Sequence, residues 1–182
     1  WWIIIAGVLD ALDGKVARMT GSSSDFGIEF DSIADVVSFG LAPAALFYRY
    51  ILAGAGRTGL ALAFLFLAAG AMRLARYNVS AATGSKKYFT GMPIPAGAGI
   101  LASFVLFNEN VWGGTAGFDF ASALIFLSSI AMVSRFRYSA LPRIGFRSRK
   151  SAIKSVLLLG NVILISFFPN QILFPEGVLY LI

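Results

Sequence analysis

Long apolar runs alternate with short polar connectors along the whole chain. Runs of roughly 18 to 22 apolar residues can cross the hydrocarbon of a bilayer as helices. The pattern predicts such helices at residues 1–18, 29–50, 59–78, 93–112, 118–134 and 153–168. A shorter apolar run at 171–182 follows them. The sequence therefore predicts an all-α, polytopic transmembrane helix bundle with about six to seven spans, forming one integral membrane domain over residues 1–182.

Composition supports the bilayer as the solvent. Hydrophobic residues make up 58% of the 182 residues and charged residues only 13%, whereas a soluble domain carries about 25% charged residues. The chain also contains no cysteine and no histidine. Thiolate and imidazole chemistry is thereby excluded, so catalysis would rest on carboxylates, hydroxyls, lysine or arginine, together with a hard metal ion.

The net charge of +6 is distributed as in a membrane protein. If Arg18 faces the cytoplasm, alternating spans place the connectors 80–90 and 135–150 on the same side. Only Arg49 and Arg57 of the 15 lysines and arginines then lie outside. This bias follows the positive-inside rule. It predicts a protein integral to the cytoplasmic membrane and argues against nucleic acid as a partner.

Four aspartates lie at helical spacings inside two predicted spans. Asp10 and Asp13 are three residues apart, and Asp31 and Asp35 are four apart, so each pair shares a helix face. A carboxylate inside a membrane is costly and indicates a functional site. If the two helices form a hairpin, the four carboxylates converge and need protons or bridging cations. Oxygen ligands of this kind suit Mg²⁺, Mn²⁺ or Ca²⁺.

Small residues and one cation accompany the aspartates. Gly14 and Ala17 lie on or beside the face of the first pair, and Gly27 lies one turn before Asp31. Small side chains allow a neighbouring helix or a flat ligand to approach the backbone. Arg18 lies one turn beyond Gly14 and suits phosphate oxygens.

These positions together resemble the signature of the CDP-alcohol phosphotransferase family. The stretch Asp10-Ala-Leu-Asp13-Gly14-Lys-Val-Ala17-Arg18 is followed, after eight residues, by Gly27-x3-Asp31-x3-Asp35. A proton or ion pathway lined by acids is the alternative interpretation. Such a pathway needs no glycine or arginine at these offsets, so the family resemblance is favoured.

The resemblance implies a role for each signature residue. It implies two divalent cations, Mg²⁺ or Mn²⁺ with Ca²⁺ as a possible occupant, held by Asp10, Asp13, Asp31 and Asp35. It implies that Asp35 is also the general base. The residues that it assigns to the cytidine diphosphate moiety are Asp10, Gly14, Ala17, Arg18 and Gly27. A site that binds a substrate with a cytidine diphosphate moiety is expected to face the cytoplasmic leaflet.

A second segment concerns the acceptor alcohol. Arg73 and Arg76 share a face near the cytoplasmic end of their helix and could pair with lipid phosphate or a substrate carboxylate; interfacial snorkelling is the alternative. The stretch from Arg73 through Tyr77 and Asn78, and the stretch 88–95, are similar to segments of the phosphatidylserine synthase branch of the family. That similarity extends to about Tyr138. It makes Arg73, Arg76, Tyr77 and Asn78 candidate acceptor- or phosphate-binding residues.

The resemblance implies transfer of the phosphatidyl group from CDP-diacylglycerol to L-serine, with release of CMP by direct displacement. Glycerol phosphate and inositol phosphate remain alternative acceptors, since Lys86 and Lys87 could also attract anionic phosphates. A cation transporter that uses the same aspartates is the alternative from another functional class. The family also implies a homodimer and a further helix before the one with Asp10, so an N-terminally truncated domain is expected.

Overall fold

The computed structural model describes residues 1–20, 24–82, 91–136, 161, 164–165 and 167–181. Every regular element within these ranges is helical, which confirms the predicted all-α class. Most of the predicted helix at 153–168 lies outside the described residues. The helices are α1 (Trp2–Thr20), α2 (Asp25–Asp35), α3 (Ala42–Phe47), α4 (Arg57–Ala82), α5 (Ile94–Asn110), α6 (Phe118–Val133) and α7 (Pro169–Leu181).

The chain stays helical from α2 to the start of α4 but changes its winding twice. Two π-helical segments, Val36–Leu41 and Tyr48–Leu52, flank α3, and a 3₁₀ turn at Ala53–Ala55 follows. Pro43 explains the first segment, because proline has no N–H to donate and its ring crowds the preceding turn. In that segment the N–H of Ala42 donates to the carbonyl of Val37, five residues back.

Two helical stretches in the described part of the chain are long and apolar enough to cross a bilayer. They are Phe26–Ala55, with 30 residues, and Arg57–Val79, with 23 residues. Large apolar side chains are exposed on the outer surface, among them Trp2 and Phe26, as expected where lipid and not water is the neighbour. The described part of the chain thus has two clear span candidates, as expected of a membrane protein. The predicted number of six to seven spans is not confirmed.

The core lies among α3, α4, α5 and α6 and includes several aromatic rings. Phe104 of α5 is fully buried, with its ring centroid 5.4 Å from that of Phe47 and 5.3 Å from that of Phe174 of α7. Lipid tails are as apolar as such a side chain, so its burial stabilises the fold through van der Waals packing, and tilted aromatic pairs add to this. These contacts connect α7 to the core through α5.

Small residues allow the helices to pack closely. Helices α4 and α6 contact each other, and buried small residues occur on both, including Gly70 and Ser129. A Cβ added at Gly70 would lie 2.5 Å from Cδ1 of Ile94. Close helix packing through small residues is typical of membrane proteins.

The segment before α5 is fixed against the end of α6. Gly91 has a φ of 84°, a conformation that residues with a Cβ rarely adopt. Its N–H donates to the carbonyl of Phe136 over 2.9 Å, and the N–H of Met92 donates to the carbonyl of Ala131 over 3.0 Å. Pro93 precedes α5 and Pro95 lies in its first turn, where proline is tolerated because no helical hydrogen bond needs its N–H.

Helices α1 and α2 lie outside this core. None of their described side chains is buried. Helix α1 contacts α5 and the π segment that follows α2; a Cβ added at Gly7 would lie 3.7 Å from the ring of Phe39. Helix α1 therefore meets Phe39 at Gly7, one turn before Asp10, at a distance of ordinary van der Waals contact.

Candidate functional site

Three of the four predicted aspartates meet between α1 and α2. A carboxylate oxygen from each of Asp10, Asp31 and Asp35 lies within 4.8 Å of the other two. Asp10 and Asp35 are half-buried, and Asp31 is exposed. Asp35 is the last residue of α2, and the winding changes to a π helix directly after it; such changes are frequent at functional sites.

This arrangement fits a hard divalent cation. Mg²⁺ and Ca²⁺ bind oxygen at about 2.0–2.6 Å, so ligands on opposite sides of one ion are about 4–5 Å apart. The three aspartate oxygens lie within that separation. Three negative charges at this distance also repel one another and are stabilised by a cation between them. Asp10, Asp31 and Asp35 therefore form a group that could hold a metal ion.

Asp13 occupies a different position. It is exposed, and its charge acts on Asp10 and Asp35. Its carboxylate does not join the three that lie within 4.8 Å in the described part of the chain. Its role as a metal ligand thus stays a prediction from the sequence.

The small residues of the signature lie on the same two helices. Gly14 is half-buried on α1. The N–H of Gly27 donates to Oγ of Ser24, the N-cap of α2, over 3.0 Å. A Cβ at Gly27 would lie 3.1 Å from that Oγ and would crowd the cap. Ala17 and Arg18 belong to α1, but their side chains lie outside the described residues.

Arg73 of α4 interacts electrostatically with one aspartate of the group, Asp35. Its side chain is only 8% exposed. Its guanidinium carbon lies 5.7 Å from the centroid of the Tyr77 ring, a cation–π distance. Its buried Nε has no hydrogen-bond partner among the described residues.

Arg76 and Asn78 make contacts between helices. Nη1 of the exposed Arg76 donates to the carbonyl of Val133 over 3.0 Å, and so satisfies a carbonyl at the end of α6. Nδ2 of Asn78 donates to Oγ of Ser32 over 2.8 Å, which connects α4 to α2 one residue after Asp31. The structure thus separates the two arginines that the sequence grouped. Lys86 and Lys87, also considered from the sequence, lie outside the described residues.

An open groove of about 680 Å³ lies between α1, α5 and α7, and none of the four aspartates is among its lining residues. It is lined mainly by apolar and small residues, including Gly7, Ala11 and Gly99. Tyr180 of α7 also lines it, and its phenol acts electrostatically on Arg73. Sequence reasoning did not find Tyr180, because nothing local distinguishes it within an apolar helix.

Comparison with known proteins gives one family. The sequence profile described as CDP-alcohol phosphatidyltransferase matches residues 1–137. A CDP-diacylglycerol–serine O-phosphatidyltransferase of Helicobacter pylori is 44% identical over 140 residues, which cover 75% of this chain and 59% of that protein. A protein of the same name from Methanocaldococcus jannaschii is 42% identical over 143 residues, covering 77% and 63%.

An archaetidylserine synthase of Methanothermobacter thermautotrophicus is 36% identical over 154 residues, which cover 79% of this chain and 58% of that protein. The matches thus span less than two thirds of the length of these relatives. The residues of this chain that the profile matches include all four aspartates.

Proposed function

Because the chain belongs to the CDP-alcohol phosphatidyltransferase family, we propose that it transfers the phosphatidyl group of CDP-diacylglycerol to L-serine and releases CMP. Two observations support this reaction. Two of the relatives carry the name of a serine O-phosphatidyltransferase and the third that of an archaetidylserine synthase. The observation that carries the proposal is the convergence of Asp10, Asp31 and Asp35 within 4.8 Å on the matched part of the chain.

In this proposal Asp35 is the general base. It is half-buried at the end of α2, where a carboxylate can accept the proton of the serine hydroxyl. The serine oxygen forms a bond to the lipid-side phosphorus as the bond from that phosphorus to the CMP oxygen breaks, and CMP leaves. With no histidine or cysteine in the chain, direct displacement is favoured. It predicts inversion of configuration at phosphorus.

The remaining signature residues complete the proposed substrate site. Asp10, Asp13, Asp31 and Asp35 would hold two divalent cations, Mg²⁺ or Mn²⁺, which neutralise a diphosphate and stabilise in-line displacement when bound. The nucleotide portion would lie against α1 and the start of α2, at Gly14, Ala17, Arg18 and Gly27. The lack of a side chain at two of these positions leaves room for it.

The proposed setting is one integral domain of about six to seven spans over residues 1–182, in the cytoplasmic membrane. The bias of basic residues toward the connectors supports a site at the cytoplasmic leaflet. Both substrates would reach it there, the lipid from the bilayer and serine from the cytosol. A homodimer belongs to the same proposal as the expected assembly.

An acceptor panel tests the reaction. Purified protein in detergent receives CDP-diacylglycerol and Mn²⁺ or Mg²⁺, and CMP release is followed with serine, glycerol 3-phosphate, inositol phosphate or inositol. We expect release with serine, its loss on chelation of the metal, and its loss in Asp35→Asn. Glu29→Gln is the matched control, because Glu29 is an exposed acid on the same helix outside the aspartate group.

Each other outcome has a definite meaning. Release with a different acceptor keeps the family chemistry and overturns serine as the substrate. Absence of release with every acceptor, combined with metal flux across vesicles, overturns the transferase in favour of a cation transporter.

A further inference from the structure

Helix α2 carries two of the three converging carboxylates but packs little against the core. None of its described side chains is buried. The element that it contacts most closely in the described part of the chain is the π segment that continues it. A helix that is held mainly at one end can tilt or rotate about its axis. The position of Asp31 and Asp35 relative to Asp10 on α1 therefore depends on the other contacts that fix α2.

A cleft of about 430 Å³ lies between α2, the π segment Val36–Leu41 and α4. Small apolar residues of α4, including Ala71 and Ala75, form part of its wall. Ser32 of α2 and Asn78 of α4 are among its polar lining residues. Because the cleft keeps the two helices apart, van der Waals packing between them contributes little to fixing α2 at this level.

A hydrogen bond joins the two sides of this cleft. Nδ2 of Asn78 donates to Oγ of Ser32 over 2.8 Å, and Oγ of Ser32 donates to the carbonyl of Ile28, one turn back in α2, over 3.0 Å. The Ser32 hydroxyl thus uses its one hydrogen within its own helix, and its oxygen is the acceptor for the Asn78 amide. Both partners have a defined role as donor or acceptor, so the bond specifies how α2 is oriented toward α4.

Asn78 belongs to a helix that is fixed in the core. Leu74, one turn before it, is only 7% exposed, and α4 packs against α6. Nη1 of Arg76 also donates to the carbonyl of Val133 at the end of α6. This end of α4 therefore has a fixed place relative to the core, and the Asn78 amide holds α2 to it.

Small movements of α2 matter for a metal ion. Ser32 comes one residue after Asp31 and three before Asp35. A carboxylate oxygen lies roughly 6 Å from its helix axis, so a rotation of about 10° moves it by about 1 Å. Metal–ligand distances vary by only about 0.2 Å. A bond that prevents such a rotation therefore affects cation binding even when neither of its partners is a ligand.

From these contacts, and resting on the metal-binding role that the proposed function gives to the aspartates, we propose that Asn78 is a positioning residue for the three-carboxylate group. Through Ser32 it holds α2 in the orientation that brings Asp31 and Asp35 toward α1. The resemblance placed Asn78 among the candidate acceptor- or phosphate-binding residues. The hydrogen bond to Ser32 gives its amide a partner within the protein instead.

Binding of Mn²⁺ to the purified protein in detergent, followed by electron paramagnetic resonance without substrate, tests this role. We expect Asn78→Ala to raise the Kd for Mn²⁺ roughly 3- to 10-fold, the range that one lost hydrogen bond corresponds to. Ser32→Ala removes the other partner and should have the same effect. The double variant should match either single variant, because the two substitutions remove the same bond.

Two further variants and thermal unfolding separate positioning from a general loss of stability. Asn110→Ala is the matched control, because Nδ2 of the exposed Asn110 donates within its own helix, to the carbonyl of Leu106. Ser32→Thr keeps the hydroxyl and should retain most of the affinity for Mn²⁺. The unfolding temperature of Asn78→Ala should stay close to that of the unaltered protein, since neither partner is buried. If Asn78→Ala does not fold, Ser32→Ala decides the proposal.

The KM for L-serine distinguishes positioning from acceptor binding. At saturating metal it should be unchanged in both Asn78→Ala and Ser32→Ala. A raised KM for serine in Asn78→Ala alone, with unchanged Mn²⁺ affinity, would show that Asn78 binds the acceptor and would overturn the proposal. Unchanged Mn²⁺ affinity in both variants, or effects that multiply in the double variant, would also overturn it.

The Mn²⁺ measurement also separates this assignment from the proposed transfer to serine. Because binding is measured without serine or lipid, a failure to release CMP with serine would overturn the transfer and leave the role of Asn78 standing. If the unaltered protein binds no Mn²⁺, the role of Asn78 is overturned.

Discussion

Helices α1 and α2 differ from α5 in how much of their surface the protein covers. Nine of the 17 residues of α5 are buried, whereas neither α1 nor α2 buries any side chain that the structure describes. The buried helix is rich in apolar and small residues, and the two open helices carry the aspartates. The protein thus carries these costly charges on its open helices, where the proposed substrates and metal could reach them, and buries its apolar core elsewhere.

The open face is nevertheless fixed to the core at a few points. Phe39 lies beside Gly7 of α1, and Asn78 of α4 donates to Ser32 of α2. Each contact is within one turn of an aspartate of the three-carboxylate group. The geometry of the site therefore depends on the core, although the site adds little to its stability. Substitutions on the open helices α1 and α2 should therefore change activity, whereas substitutions in the core should change stability.

The largest expected effect is on the open face. Asp10→Asn removes one charge from the group of three carboxylates, so the metal concentration for half-maximal CMP release should rise by roughly 100-fold. Asp13→Asn is the matched comparison on the same helix. Because Asp13 is exposed and its carboxylate lies outside the three within 4.8 Å, we expect it to be the weaker of the proposed ligands, so its loss should raise that concentration less, by roughly 10-fold. Titrations of Mg²⁺ or Mn²⁺ measure both.

The temperature of unfolding completes this comparison. It should be nearly the same for both variants, because neither side chain is buried. Equal effects of the two substitutions on the metal requirement would contradict the distinction between Asp10 and Asp13. They would favour a site in which all four aspartates contribute alike.

The next effect concerns the core. Gly91→Ala introduces a Cβ at a φ of 84° that would collide with the carbonyl of Met132. We expect a loss of about 3 kcal/mol in the free energy of unfolding, measured by thermal or denaturant unfolding in detergent. Gly99→Ala is the control, because a Cβ there would meet nothing within 4 Å. As a helical position it should gain up to about 1 kcal/mol.

If Gly91→Ala and Gly99→Ala were equally stable, the contact between the segment before α5 and the end of α6 would not be part of the rigid core. The backbone hydrogen bonds of Gly91 and Met92 to the end of α6 predict that it is.

The sequence predicted well what depends on local spacing. The intervals between Asp10 and Asp13, and between Asp31 and Asp35, place each pair on one helix face, and apolar runs predicted α4, α5 and α6 to within a few residues of their observed ends. Helical periodicity and bilayer thickness determine these features, and both are visible in a single chain.

Features that depend on contacts between helices were not predicted. The hydrogen bond of Arg76 to Val133, the hydrogen bond of Asn78 to Ser32 and the electrostatic interaction of Tyr180 with Arg73 each join distant parts of the chain. Spacing within one helix cannot show which of two arginines is buried. The π-helical turns around Pro43 were also missed, since proline can equally kink or end a helix.

The smallest expected effect lies at the end of α5 away from Pro95, where polar residues join the core to a connecting segment. Tyr50 donates to Oε1 of Glu109 over 2.6 Å and accepts from Nδ2 of the buried Asn108 over 2.8 Å. Tyr50→Phe removes both bonds and leaves the Asn108 amide without this acceptor. We therefore expect a loss of about 1–2 kcal/mol in the free energy of unfolding, with the KM for both substrates unchanged.

Tyr48→Phe is the control, because the Tyr48 hydroxyl has no hydrogen bond to the residues that the structure describes, and it should change stability by less than about 0.5 kcal/mol. A change in KM with Tyr50→Phe would show that this end of the core is coupled to the open face, and that the two regions are not separable.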